Sequence, residues 1–120
     1  MRIDPLDKVF SRYIKLKAGG KCEFCGQNPS PMGYHTHHFI GRRYLNTRYE
    51  PDNGVALCLA CHNLMEDFSH IEQDFFKQRI GTKRMEELEI IARTYRKMDK
   101  TRKEALKLYL EEKILDLHVK

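Results

Sequence analysis

The chain has no tryptophan, only four prolines and only four cysteines among 120 residues. It also has no apolar run near the roughly 20 residues that a membrane-spanning helix needs. The opening stretch MRIDPLDKVF lacks the apolar segment and small-residue cleavage site of a secretory signal, so an intracellular setting is expected. No repeat and no low-complexity tract occurs, which removes solenoids, arrays and disordered linkers from the reading. The few cysteines are not scattered. They form two pairs, Cys22-x-x-Cys25 and Cys58-x-x-Cys61. In a reducing compartment such pairs favour metal over disulfides.

Charge is abundant. Lys and Arg number 22 against 17 Asp and Glu, giving a net charge of +5 and a pI near 9.1. A polyanionic partner fits that balance. On charge alone, a merely basic soluble protein fits equally well. The length suits one domain, and a small loop-rich domain of this kind often needs a staple.

Asp4, Pro5 and Asp7 predict a helix start, with a cap, a first-position proline and an acidic first turn. Leu6, Val9, Phe10, Tyr13 and Ile14 follow at helical spacing, and Gly19-Gly20 ends the helix. Cys22–Gly26 predicts a tight knuckle and 28–33 a loop. Short strands are expected at 34–40 and 54–57. They flank a polar loop, 41–53, that carries Arg42, Arg43 and Arg48. A helix beginning near Cys58 carries Cys61, His62 and Glu66. Ser69-x-x-Glu72 predicts a capping box for a helix ending at Gly81. Thr82 caps the next, which buries Met85, Leu88, Ile91, Ala92 and Tyr95. Thr101-x-x-Glu104 opens the last, with Leu106, Leu110, Ile114 and Leu117 inward and Lys103, Lys107 and Lys113 on its wet face. The predicted organisation is a single domain over 1–120: a core at 20–68, one helix at 4–18 before it, and helices over 69–120 after it.

Zinc takes four tetrahedral thiolate or imidazole ligands in a structural site. A Cys-x-x-Cys turn supplies two, and positions three apart on a helix share a face, so Cys22, Cys25, Cys58 and Cys61 predict one structural zinc site. The long insertion between the pairs holds His37-His38 and Asn53. His62 follows Cys61, turned about 100° from it around the helix, and so points away from the zinc ligands toward the hairpin.

These residues resemble the HNH nuclease family, in the version with two Cys-x-x-Cys pairs. The resemblance rests on His37-His38-Phe39, on Asp52-Asn53-Gly54-Val55-Ala56-Leu57-Cys58 and on Cys61-His62-Asn63. A longer likeness, to phage NinG-type recombination nucleases, includes Phe10-Ser11-Arg12-Tyr13-Ile14, Thr47-Arg48-Tyr49, Asp52-Asn53, and Ile80-Gly81 followed by Glu86-Glu87-Leu88-Glu89. The chain differs from that subgroup at His37, where a small residue is usual, and at His62, where Asn is usual. Both differences move it toward the general HNH pattern.

The resemblance implies an α+β fold, a treble-clef-like zinc scaffold bearing a ββα-metal site with flanking helices. It implies metal-dependent hydrolysis of DNA phosphodiester bonds, leaving 5′-phosphate and 3′-hydroxyl ends, in a phage or mobile-element setting. His38 would be the general base and Asn53 would brace the hairpin and orient it. His37 and His62 would hold a catalytic divalent ion. Two imidazoles suit Mn²⁺, Ni²⁺ or Zn²⁺, whereas Mg²⁺ prefers oxygen ligands. Glu66, four residues after His62 on one helix face, is the first candidate for a third ligand; an exposed surface glutamate is its bland reading. His70 and His118 read as surface residues. Arg42, Arg43 and Arg48 are expected on the DNA backbone, and Tyr44 and Tyr49 as anchors of their loop.

Strand geometry sets one tension. Successive strand residues face opposite sides, so His37 and His38 reach one site only if the strand ends or bulges there. Otherwise His35 and His37 are the same-face pair. A zinc-stapled module that binds nucleic acid without cutting it would share the basic loop but have no need of His38.

Overall fold

Asp4 starts the first helix as expected. Its carboxylate accepts the Leu6 N–H at 2.9 Å while Asp7 accepts the Asp4 N–H at 2.7 Å, a reciprocal cap. In the computed structural model, which describes residues 3–94 and 96–119, helix α1 (Pro5–Lys17) buries Leu6, Phe10, Tyr13 and Ile14. A two-stranded antiparallel hairpin follows: β1 (Tyr34–His38) pairs with β2 (Gly54–Cys58), Tyr34 opposite Cys58 and His38 opposite Gly54. Between the strands lie a short helix, α2 (Leu45–Arg48), and a 3-10 turn at Pro51–Asn53. Helix α3 (Leu59–Asp67) runs directly off β2, and α4 (Ser69–Arg93) and α5 (Lys100–Val119) complete the chain. This is the expected α+β class with flanking helices. Among the described residues, no helix is long and apolar enough to cross a membrane.

The hairpin separates two cores. Tyr34 and Ala56 join Leu6, Phe10, Tyr13, Ile14, Leu110 and Ile114 on the α1–α5 side. Val55 and Leu57 join Cys22, Cys61, Met65 and Phe76 on the α3–α4 side. Strand β2 is therefore buried on both faces, which its run of apolar residues from Val55 to Leu57 suits. Helix α1 approaches β2 so closely that a Cβ on Gly54 would meet Phe10 at 3.0 Å and Ile14 at 3.3 Å. A side chain there would require Phe10 and Ile14 to shift.

Several cap predictions are corrected. Gly81 does break the helical run, with φ +83° and ψ 157° inside α4, a conformation that glycine adopts freely. Helix α4 has no side-chain cap, so Ser69 and Glu72 form no capping box. Asp99, not Thr101, caps α5 by accepting the Arg102 N–H at 2.8 Å. Lys103 leaves the wet face to pair with Asp4 at 2.7 Å, tying α5 to the start of α1. Leu88 is fully buried and Met85, Ile91 and Ala92 partly so; Tyr95 lies outside the described residues.

Candidate active site and metal centre

The knuckle and the start of α3 bring the four cysteines together. All four sulfurs lie within 4.8 Å of one another. Cys25 and Cys58 are 3.8 Å apart, and the Cys25 N–H points at the Cys22 sulfur at 3.5 Å. A tetrahedron with Zn–S bonds of about 2.3 Å has an edge of about 3.8 Å, so the donor set has the spacing of a zinc site and not of a disulfide. Its electrostatics agree. Burial pushes the Cys22 thiol up, but backbone N–H groups from Cys25, Cys58 and Phe24 outweigh it and bring the thiol down to about 7. Burial and the neighbouring sulfurs push Cys61 strongly up. Four clustered thiolates repel one another, and a divalent cation removes that penalty.

The second cluster forms on the hairpin face that looks toward α3 and α4. His37, only 1% exposed, points inward from β1. Its Nδ1 lies 3.0 Å from His62 Nδ1 and 3.7 Å from Glu66 Oε1. Ligand atoms of His37, His62 and Glu66 thus share one small volume. Cis ligands at about 2.1 Å from an octahedral ion lie about 3.0 Å apart, so this N/N/O set fits a divalent ion and leaves positions open for others. Burial lowers the His62 pKa, with His37 adding to the effect. That favours the neutral ring a metal needs. His35 stacks on His62, with centroids 5.4 Å apart and planes 12° apart, but contributes no atom to the cluster.

His38 faces the other way. Strand β1 runs regularly through it, without a bulge, so His35 and His37 share one face and His38 lies on the α1 face. Its ring stacks on Phe10, and its Nε2 meets the Arg48 carbonyl at 2.9 Å. A carbonyl only accepts, so Nε2 carries the proton and Nδ1 keeps a lone pair. Burial pulls the His38 pKa down to about 4, with the Arg48 carbonyl opposing and Arg42 adding to the fall. The ring is neutral near pH 7.

Asn53 is fully buried and binds the loop at both ends. Its Oδ1 accepts the Ile40 N–H at 2.8 Å, and its Nδ2 donates to the carbonyls of Ile40 and Thr47 at 3.0 Å each. Thr47 immediately precedes the Arg48 carbonyl that holds His38.

The three loop arginines diverge. Arg48, expected at the surface, is 5% exposed and pairs with Asp7 through Nε at 2.9 Å and through Nη2. Arg42 reaches the same carboxylate at 3.3 Å and stays partly open. Arg43 is exposed, lying over Tyr44 with its guanidinium carbon 4.9 Å from the ring centre. Tyr49 is buried as an anchor.

A groove of about 830 Å³ runs between α1 and β1, lined among others by Lys8, Arg12, Lys15, His35, His38 and Arg42. It touches His38 and His35, while His37, His62 and Glu66 lie outside its lining. Neither the Phe10 stack nor the Asp7–Arg48 pair is visible in local spacing, since both join distant segments.

The four-cysteine cluster, which could hold zinc, stands with the antiparallel hairpin and helix α3 in the arrangement of a ββα-metal core. Residues 22–68 match the family model described as HNH endonuclease. No curated protein and no solved structure matches the chain. An HNH domain suggests a nuclease-type function and a nucleic-acid substrate. Helices α1, α4 and α5 lie outside the matched segment.

Proposed function

We propose that the protein is a metal-dependent endonuclease that hydrolyses phosphodiester bonds in DNA. The observation that carries this reading is the pairing, on adjacent residues of one strand, of a metal-competent imidazole, His37, with a neutral imidazole, His38, whose tautomer is set by a backbone carbonyl.

His37, His62 and Glu66 would hold the divalent ion. When bound, it supplies positive charge for the phosphate and the departing oxygen. His38 Nδ1 takes a proton from water as the water oxygen bonds to phosphorus. The P–O3′ bond breaks, and the leaving oxygen takes a proton from solvent, leaving 5′-phosphate and 3′-hydroxyl ends. General-base help of this kind is typically worth about 10²–10⁴-fold. Asn53 keeps the loop closed, so that the Arg48 carbonyl stays on His38. Lys8, Arg12, Lys15 and Arg42 would receive the DNA backbone along the groove, with Arg43 beside them. Arg48 would act from inside, shaping the loop. The longer NinG-type likeness supports a phage or mobile-element setting, in recombination or related DNA processing.

The test is cleavage of supercoiled plasmid by zinc-loaded protein with Mg²⁺, Mn²⁺ or Ni²⁺, beside a chelator control and His62→Ala. Metal-dependent nicking that the variant loses supports the reading. A folded wild type that is inert on plasmid, branched and single-stranded DNA with every ion contradicts it, and a zinc-stapled binding module then takes its place.

A further inference from the structure

Glu72 sits in the first turn of α4, beyond the segment that matches the HNH family. Its spacing from Ser69 suggests a capping residue, yet its carboxylate makes no cap. Oε2 instead meets His37 Nε2 in a close contact. Both partners are shielded, with the Glu72 side chain 16% exposed and His37 1%. The His37 ring is thus engaged from two sides. Nδ1 faces His62 and Glu66, while Nε2 faces Glu72.

We propose that Glu72 is a positioning residue for the catalytic ion, acting through His37; this rests on the metal-site reading above. A carboxylate at Nε2 accepts that N–H and fixes the tautomer in which Nδ1 carries the lone pair. It also fixes the ring orientation and raises the donor strength of Nδ1. Carboxylate–histidine–metal arrangements of this kind typically govern about 10–100-fold in metal affinity or activity. Glu72 does not itself join the ligand cluster, which comprises His37, His62 and Glu66. It stands on the far side of the ring. Helix α4 therefore completes a metal centre whose ligands all come from β1 and α3. Phe76, one turn along α4, supports the same ring by stacking on His37 at 6.4 Å.

The test is calorimetric titration of the zinc-loaded protein with Ni²⁺ or Mn²⁺, comparing wild type with Glu72→Ala and Glu72→Gln, with melting temperatures recorded in parallel. Glu72→Ala should weaken the second ion by about 10–100-fold. Glu72→Gln, which still accepts the Nε2–H through its amide oxygen but carries no charge, should recover part of the loss. Melting temperatures should stay near wild type, which a merely structural role would not allow alongside lost affinity. If Glu72→Ala fails to fold, the comparison of Glu72→Gln with wild type decides: reduced affinity supports the role and unchanged affinity overturns it. Affinity within twofold of wild type in both variants overturns the role of Glu72 while leaving the metal site standing. A wild type that binds no second ion overturns the metal-site reading and this one together.

Discussion

The ring of Phe10 lies on the ring of His38, with centroids 5.4 Å apart and planes at 30°. Phe10 belongs to α1, outside the matched family segment, and is 1% exposed. The helix thus supplies a wall for the proposed base. Phe10→Ala removes that wall and opens a core cavity, at about 3–5 kcal/mol. Urea unfolding should show the loss, and cleavage should fall further than the folded fraction explains. Gly54→Ala tests the same contact from below, because its new Cβ meets Phe10 at 3.0 Å. It should destabilise the protein without removing any functional side chain.

Asn53 satisfies one buried N–H and two buried carbonyls. Asn53→Ala leaves them without that partner, and each unsatisfied buried group costs about 1–3 kcal/mol. The variant should be less stable in urea. At temperatures where it stays folded, it should cleave more slowly, because the loop no longer fixes the Arg48 carbonyl against His38.

Asp7 pairs with buried Arg48 and accepts the Asp4 N–H. Burial alone would raise its pKa, but Arg48, the Asp4 N–H and Arg42 outweigh burial and hold it below 3.8. The folded carboxyl is therefore the stronger acid. Its stabilisation is fully present above pH 3.8 and is lost as pH falls through the lower folded value. Asp7→Asn leaves Arg48 without this counter-charge, at about 3 kcal/mol near neutral pH. Denaturant titrations should show the gap between wild type and variant shrinking as pH drops below 3.8. A gap that stays constant through that range contradicts the pairing.

The cysteine cluster has the spacing to hold zinc, and folding is expected to depend on that ion. Structural zinc contributes roughly 10–16 kcal/mol in small zinc modules, comparable to a whole domain's stability of about 5–15 kcal/mol. A strong chelator should therefore abolish the hairpin's near-native circular dichroism and the tyrosine signal of Tyr34, which sits beside the knuckle with its hydroxyl on the Lys21 carbonyl at 2.7 Å. Cys61→Ser should do the same without chelator, with bound zinc falling in elemental analysis.

Much of this was legible in the sequence, for local reasons. Cysteine spacing, the Asp4 cap and the break at Gly81 are each written within a few residues. That Glu66 lies near His62 follows from helical periodicity, and its side chain is 60% exposed, as its bland reading as a surface glutamate also expects. The unreadable parts are long-range. Arg48 looks like a surface arginine until Asp7, on another helix, is seen to reach it. Glu72 looks like a cap until His37 is placed beside it. Strand alternation alone left open whether β1 bulges at His38. The strand stays regular, so His37 and His38 serve opposite faces, and of the two only His38 lines the groove along α1.

The most direct measurement is single-turnover DNA cleavage by His38→Ala, with Ni²⁺ affinity and zinc content measured on the same preparation. The expected result is unchanged zinc, unchanged Ni²⁺ affinity and a cleavage rate lower by about 10²–10⁴-fold. Cleavage at the wild-type rate by a folded, metal-loaded His38→Ala would contradict the assignment of His38 as the base.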